Sequence, residues 1–306
     1  MVHPAPALAR VTRRSGRSAD ARAGWLMLAP TLAVLLSFVI GPLVLGMGLS
    51  FTHYNLMSGQ AQFAGVSNYR DLFAGGSTFW TALLNTVLFT LGTVVPTITL
   101  AVFFGILLNQ QLIGRTFYRT VLFAPYVTPL VGASIAWIWL FRRQGFVDWV
   151  MQLFGVTGPG WLSSPHTALI AIIIATLWQY TGYFTMLVLS GLQAIPPDVT
   201  EAARIDGAHG LSLLRQVVLP LLSPTILFCL ILSVIQSFQV FDQIYVMTDG
   251  GPGTSTLTLV YYLYQLGFEF FHFGHGAAVG VVLLAVLLTF TALQLKLSSR
   301  WVHYDL

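Results

Sequence analysis

Thr176, Gln179, Tyr180 and Tyr183 recur at i, i+3, i+4 and i+7 inside an otherwise apolar run, a spacing that puts all four on one face of a helix. In the next apolar run Ser233, Gln236 and Gln239 repeat at three-residue intervals, with Ser237 beside them. Gln supplies amide donors and a carbonyl acceptor to hydroxyl groups, and a Tyr ring covers apolar C–H surface. The chemistry these residues suit is recognition of a neutral polyhydroxylated solute; no catalytic residues are expected. Thr176, Ser233 and Ser237 suit hydrogen bonds between helices better than solute contact. A third group, Glu201, Ala202, Ala203, Asp206 and Gly207, lies in a more polar segment between the two runs. Two methyl-sized side chains flanked by carboxylates give a short helix a face that fits closely into another protein's groove, although a connector lying on a membrane surface has a similar composition.

The elements that carry these groups follow from composition. Only 8% of the 306 residues are charged and 56% are apolar, against roughly 25% charged in an ordinary soluble protein. There is too little polar surface to wrap a water-soluble particle of this size, so the expected solvent is lipid. A hydrocarbon core about 30 Å thick needs roughly 20 apolar residues of helix. Six runs qualify: Trp25 to Leu49, Leu83 to Leu108, Val121 to Phe141, Ala168 to Leu192, Leu221 to Phe241 and Ala277 to Leu297. The expected fold is therefore all-α, a polytopic bundle of six transmembrane helices. The first run is too long for a secretory signal and is read as a retained helix. Pro30, Pro42, Pro96, Pro125 and Pro129 inside the runs predict kinks, which neighbouring helices can satisfy.

Charge sets the orientation. Arg10, Arg13, Arg14, Arg17, Arg22, Arg115, Arg119, Arg204, Arg215, Lys296 and Arg300 fall on one side of the six runs, and Arg70, Arg142 and Arg143 on the other. The richer side is expected to be cytoplasmic, with both termini and the Glu201 segment inside. Basic residues spread over helix ends do not form a nucleic-acid patch. Lys296 is the only Lys and follows no Gly-rich turn, so the chain lacks a nucleotide-binding P-loop. Cys229 is alone, which excludes an intrachain disulfide. His53, His166, His272 and His275 have no metal-like spacing, and no metal site is expected. Asp148, Asp242 and Glu269 are too dispersed for the general acid/base cluster of a membrane enzyme. Asp242 is the one ionisable residue near a span interior, at a helix end, which disfavours an ion-coupled carrier that needs buried relays. Asn85 and Gln294 are read as helix anchors, and Thr248 to Thr256, TDGGPGTST, as an outward turn.

The segment from 195 to 220 reads helix, turn, helix. Pro196 and Pro197 fit a helix start, with Asp198 and Glu201 in the early turns. Gly207 supplies a left-handed stop, and an apolar pattern then resumes until Pro220. Its sequence resembles the EAA signature of ABC importer permeases: E-A-A, three residues, G, nine residues, I-x-L-P. Here the residues are Glu201-Ala202-Ala203, Gly207 and Val217-Val218-Leu219-Pro220, with Val217 in place of Ile. Thr200 stands where sugar-importing members usually carry Tyr. WLMLAPTL, SFTHYNL, FAGVSNYRDLF, GRTFYRTVLFAPYVTP, SFQVFDQIYVMTDGGP, STLTLVYYLY and RWVHY are also similar to carbohydrate-class permeases of the maltose, lactose and glycerol-phosphate type. The likeness is to the first of two permeases, in its compact six-helix form.

That resemblance implies a basic cytoplasmic segment over 1–23 and a permease domain over 24–306. It implies a second permease subunit, two copies of a separate ATPase that uses ATP and Mg, and an extracytoplasmic solute-binding protein. The chain itself would bind no cofactor and would sit in a bacterial or archaeal cytoplasmic membrane, passing a sugar or polyol derivative. Glu201, Ala202, Ala203, Asp206, Gly207 and Pro220 become the ATPase-coupling residues. Gln179, Tyr180, Tyr183, Gln236, Gln239 and Thr176 become the solute contacts, since related sugar permeases bind solute with these two helices.

Overall fold

The computed structural model describes residues 16–55, 59–111 and 113–302; most of the basic segment over 1–23 lies outside them. The chain forms two compact units, one up to Gly48 and one from Leu49 onward. The first is helical: α1 (Gly16–Leu35) passes through a π-turn, Leu36–Ile40, into α2 (Gly41–Leu49).

The second unit opens with a β-hairpin, β1 (Thr52–Asn55) and β2 (Gln60–Phe63), paired antiparallel with Thr52 opposite Phe63. This hairpin was not anticipated from the sequence. Its anchor is Asn68 on α3 (Ser67–Phe73), whose amide donates to the carbonyls of Ser50, at 2.8 Å, and Thr52, at 3.0 Å. Three long helices then build the frame: α4 (Thr78–Asn109), α8 (Ala168–Gln193) and α11 (Leu219–Phe238). Between α4 and α8 lie α5 (Arg115–Val127), α6 (Leu130–Phe141) and α7 (Phe146–Leu153). The short α9 (Pro197–Ile205) and α10 (Leu211–Leu213) precede α11. After it come α12 (Asp242–Met247), α13 (Leu259–Tyr264) and the long α14 (Phe273–Ser298).

Five helical stretches among the described residues are long and apolar enough to cross a membrane: Gly24–Leu49, Thr78–Asn109, Ala168–Gln193, Leu211–Phe238 and Phe273–Ser298. Each corresponds to an expected run. The third run departs from expectation. In place of one helix over Val121 to Phe141, Arg115–Val127 meets the next helical segment at 99°. Thr128 is extended, at φ −70° and ψ 133°, because the ring of Pro129 disfavours helical geometry in the residue before it.

In lipid, helices gain nothing from leaving water for one another, so packing and hydrogen bonds must hold the bundle. Close approach is evident between α4 and α8, where a Cβ on Gly105 would stand 2.7 Å from Cγ1 of Val188. A Cβ on Gly182 of α8 would overlap the carbonyl of Leu122 on α5, so these two helices touch backbone to backbone. One buried cluster includes Val94, Ala101, Phe184, Val188, Leu222 and Phe238; another gathers Phe79, Phe89, Ile172, Ile244, Leu259 and Tyr261.

Asn85 anchors more than its own helix. Its amide donates to the carbonyls of Thr254 (2.8 Å) and Leu257 (3.0 Å), and Thr86 Oγ1 accepts the Leu259 N–H at 2.9 Å. Tyr261 donates its hydroxyl to Asp249. Burial, then that carboxylate, push the Tyr261 hydroxyl well above the ordinary phenol range. Asn85→Leu takes the amide from both carbonyls; Thr254 keeps the Leu257 N–H at 3.3 Å, so the cost is that of the Leu257 carbonyl, about 1–3 kcal/mol. Faster proteolysis of the Thr248–Thr256 segment is the expected readout, and an unchanged cleavage rate would refute the anchoring.

Candidate functional site: a polar cavity and an exposed loop

A cavity of about 190 Å³ opens where α4, α8 and α11 converge. Thr93 and Thr97 face it from α4, Thr176, Tyr180 and Phe184 from α8, and Ser233, Gln236 and Ser237 from α11. The chain breaks helix at Gln239, and Gln239, Val240, Phe241, Asp242 and Gln243 close one side. The wall is polar without a cation: Asp242, in the first turn of α12, is its sole ionisable carboxylate and no Lys or Arg lines it.

The hydrogen bonds separate structural groups from available ones. Thr176 Oγ1 donates to the Ile172 carbonyl at 2.8 Å, and the Thr93 and Ser237 hydroxyls join α4 to α11 at 2.9 Å. Gln236 and Gln239 make no side-chain hydrogen bond to any described residue. Gln236 is half-buried and Gln239 exposed, so both amides are open to hydroxyl groups in the cavity.

Four residues on one helical face do not all reach this space, which corrects the expectation of a single lining stripe. Thr176 and Tyr180 line the cavity; Gln179 and Tyr183 are not in its wall. Tyr183 stacks on Tyr126 of α5, with ring centroids 4.4 Å apart at 16°. Gln179 is buried, and its amide donates to the carbonyls of Pro125 (2.6 Å) and Thr128 (3.0 Å). The cause lies in the break between α5 and α6. In an unbroken helix the Pro125 carbonyl would accept from residue 129, but Pro129 has no N–H. The Thr128 N–H reaches that carbonyl at 3.2 Å, and Gln179 supplies a second, closer donor from α8. Sequence reasoning overlooked Thr93 and Thr97, although their four-residue spacing in an apolar run was the same signal that exposed the stripe on α8.

The Glu201 loop stands apart, at the end of the bundle where α4 and α8 finish. A groove there is lined by Asn109, Gln110, Leu192, Arg204 and Leu213, among others. Pro197 opens α9 and Arg204 occupies its last turn, as the macrodipole favours. Gly207 has φ +92°, and its N–H donates to the Arg204 carbonyl at 3.1 Å. Glu201, Ala202, Asp206 and Gly207 are exposed and Ala203 is half-buried. Ile205 and Leu211 are 86% and 77% exposed, so apolar and acidic groups share one uncovered surface.

Pro220 sits differently from expectation. It does not end the second short helix: Leu211–Phe238 is one continuous helix with Pro220 inside it. A π-turn over Leu214–Val218, closed by the Leu219 N–H on the Leu214 carbonyl, ends two residues before the proline. Widening the helix there moves the backbone away from a ring that would otherwise collide with the carbonyl four residues back. The π-turn over Leu36–Ile40 ends two residues before Pro42 in the same way.

A bundle of long apolar helices around a polar cavity, with an exposed loop at one end, is the architecture of a multi-pass membrane transport subunit. Residues 72–303 match the family described as binding-protein-dependent transport system inner membrane component, and the chain belongs to that family. It is 35% identical over 281 residues to the trehalose/maltose transport system permease protein MalF of Thermococcus litoralis, covering 90% of this chain and 94% of that protein. It is 32% identical to the arabinooligosaccharides transport system permease protein AraP of Bacillus subtilis, covering 98% and 96%. The lactose transport system permease protein LacF of Rhizobium radiobacter is 36% identical, covering 89% and 92%. Among solved structures, a bacterial ABC transporter involved in the import of the acidic polysaccharide alginate contains a chain with the same fold, at a TM-score of 0.79 and 21% identity over 94% of this chain and 99% of that one.

Proposed function

We propose that this chain forms half of the translocation pathway for an uncharged sugar or related polyol in an ABC importer. A second permease completes the pathway, a solute-binding protein delivers the sugar outside, and two ATPase copies drive the cycle from the cytoplasm. The observation that carries the reading is the polar cavity free of Lys and Arg, with the unpaired amides of Gln236 and Gln239 facing it. Its 190 Å³ lies below the ~300–1,000 Å³ usual for drug-sized ligands, which suits one sugar ring in half of a pathway. The relatives named for trehalose, maltose, lactose and arabinooligosaccharides support the substrate class. Glu201, Ala202, Ala203, Asp206 and Gly207 form the surface on which the ATPase acts, with Pro220 carrying the motion into α11.

The test is uptake of labelled sugar by proteoliposomes holding both permeases, the ATPase and the binding protein. Gln236→Leu with Gln239→Leu removes two sets of hydroxyl partners, each worth about 0.5–1.5 kcal/mol. Transport at low sugar should fall about ten-fold while the thermal stability of the complex is unchanged. Unaltered uptake kinetics would overturn the cavity assignment, and ATP-independent uptake by this chain alone would overturn the importer reading.

A further inference from the structure

A short helix surrounded by water keeps its apolar side inward; α7 does the reverse. Phe146, Trp149 and Leu153 are 58%, 54% and 65% exposed, and at about 100° per residue they fall within about 60° of one another. Asp148 points the opposite way and is buried. Its carboxylate accepts the Gln144 N–H at 3.1 Å, and Gly158 comes so close that a Cβ there would overlap it. These contacts fix the rotation of α7, since the apolar row cannot turn inward without pulling the carboxylate out. The row also continues an exposed apolar face: Val131, Ile135 and Trp139 line α6 at four-residue spacing. Between the two helices the chain turns tightly, with Gln144 at φ 59° and the Gly145 N–H on the Arg142 carbonyl at 2.7 Å.

Charge says what covers this face. Arg142 and Arg143 are adjacent and exposed, on the side of the spans that is poorer in basic residues. Arg142 lies over the Trp139 ring, 5.2 Å from its centroid, and neither arginine has an ion pair among the described residues. Trp80, in the first turn of α4 at the same end of the bundle, is exposed as well. Exposed tryptophans beside arginines are the composition that settles at headgroup depth, where rings meet acyl chains and guanidinium groups meet phosphates. We propose that α7 is an interfacial helix lying in the membrane surface at the end of the bundle opposite the Glu201 loop. Phe146, Trp149 and Leu153 enter the boundary of headgroups and acyl chains, and Arg142 and Arg143 hold lipid phosphates. The helix thereby ties the end of α6, which follows the 99° break, to the bilayer surface. This role depends on the chain crossing a membrane and is independent of the transported solute.

Spin labels placed one at a time on the assembled transporter in lipid vesicles read the depth of α7. Phe146→Cys, Trp149→Cys and Leu153→Cys carry the label on the apolar row, and Gln152→Cys carries it on the other side, with the buried Cys229 replaced by Ser. Collisions with oxygen, which concentrates among acyl chains, are compared with collisions with a water-soluble nickel chelate. The three row labels should lie about 5–10 Å into the headgroup and acyl boundary, and the Gln152 label should lie in water. Arg142→Gln with Arg143→Gln should shift the row labels toward water in vesicles that contain phosphatidylglycerol. Row labels as open to nickel as the Gln152 label would mean a helix in water and would overturn the proposal. Row labels closed to both reagents would put the second permease over α7 and overturn it equally, and an unchanged depth in the arginine variant would remove the phosphate contact. If one cysteine variant fails to assemble, the other two row positions decide the outcome.

Discussion

Gln179→Leu is expected to abolish uptake and to lower the melting temperature of the purified complex, whereas the cavity variants at Gln236 and Gln239 leave stability intact. Leucine fills nearly the same space in α8 but donates nothing. The Thr128 carbonyl would lose the amide it accepts at 3.0 Å in a water-poor bundle, and the Pro125 carbonyl, which takes the same amide at 2.6 Å, would keep only the Thr128 N–H at 3.2 Å. At about 1–3 kcal/mol for the unsatisfied group, the loss is a large fraction of the margin by which many proteins stay folded. Gln179→Glu is the sharper variant. It keeps the length and polarity; buried against carbonyl oxygens the carboxyl takes up a proton and donates a single O–H, so it should replace one of the two bonds and fall between glutamine and leucine. Fluorescence-detected size exclusion after heating, beside sugar uptake, separates the outcomes. Wild-type melting together with wild-type transport in Gln179→Leu would show that the bend between α5 and α6 needs no such brace.

The second large effect falls on the loop. Gly207→Pro should eliminate ATP-driven uptake while the chain remains in the membrane, because proline fixes φ near −65° where the structure needs +92° and removes the N–H that binds the Arg204 carbonyl. Glu201→Lys should produce the same uncoupling by reversing charge on an exposed surface, with no backbone change. Open space surrounds Gly207, so Gly207→Ala meets only the conformational penalty of a positive φ, of order 1 kcal/mol, and should retain part of the activity. The readouts are membrane abundance, sugar uptake and solute-stimulated ATPase of the assembled complex. Coupled uptake at wild-type rates in both Gly207→Pro and Glu201→Lys would remove this loop from the drive mechanism.

Helix number and position were readable because each span is a long statement of one property. Thr78–Asn109 and Ala168–Gln193 emerge within a few residues of the apolar runs that announce them. The broken third span was half legible: Pro125 and Pro129 were visible, but a kink and a right-angle break carry the same two prolines. What decides between them is a donor on another helix, 54 residues away at Gln179, and sequence spacing along α8 cannot reveal which of its polar side chains is already committed. The same limit explains Tyr183, whose partner Tyr126 lies on the broken element. Pro220 was misplaced because a proline reads as a stop, whereas a preceding π-turn lets the helix continue through it. The hairpin at Thr52–Phe63 lacked the turn dipeptide that marks short β-hairpins, and its register depends on Asn68 some distance onward.

The uninterrupted helix from Leu211 to Phe238 has a mechanical consequence. Twenty-eight residues at about 1.5 Å each make a rod about 42 Å long. One end emerges from Gly210, three residues beyond Gly207; the other holds Ser233, Gln236 and Ser237 at the cavity wall. A rod pivoting against its neighbours turns a small tilt at one end into a sideways sweep at the other, without any relay of side chains between them. Under the proposed function, the loop and the cavity are two ends of a single lever, through which an ATPase acting on the loop would reach the sugar as a moving wall.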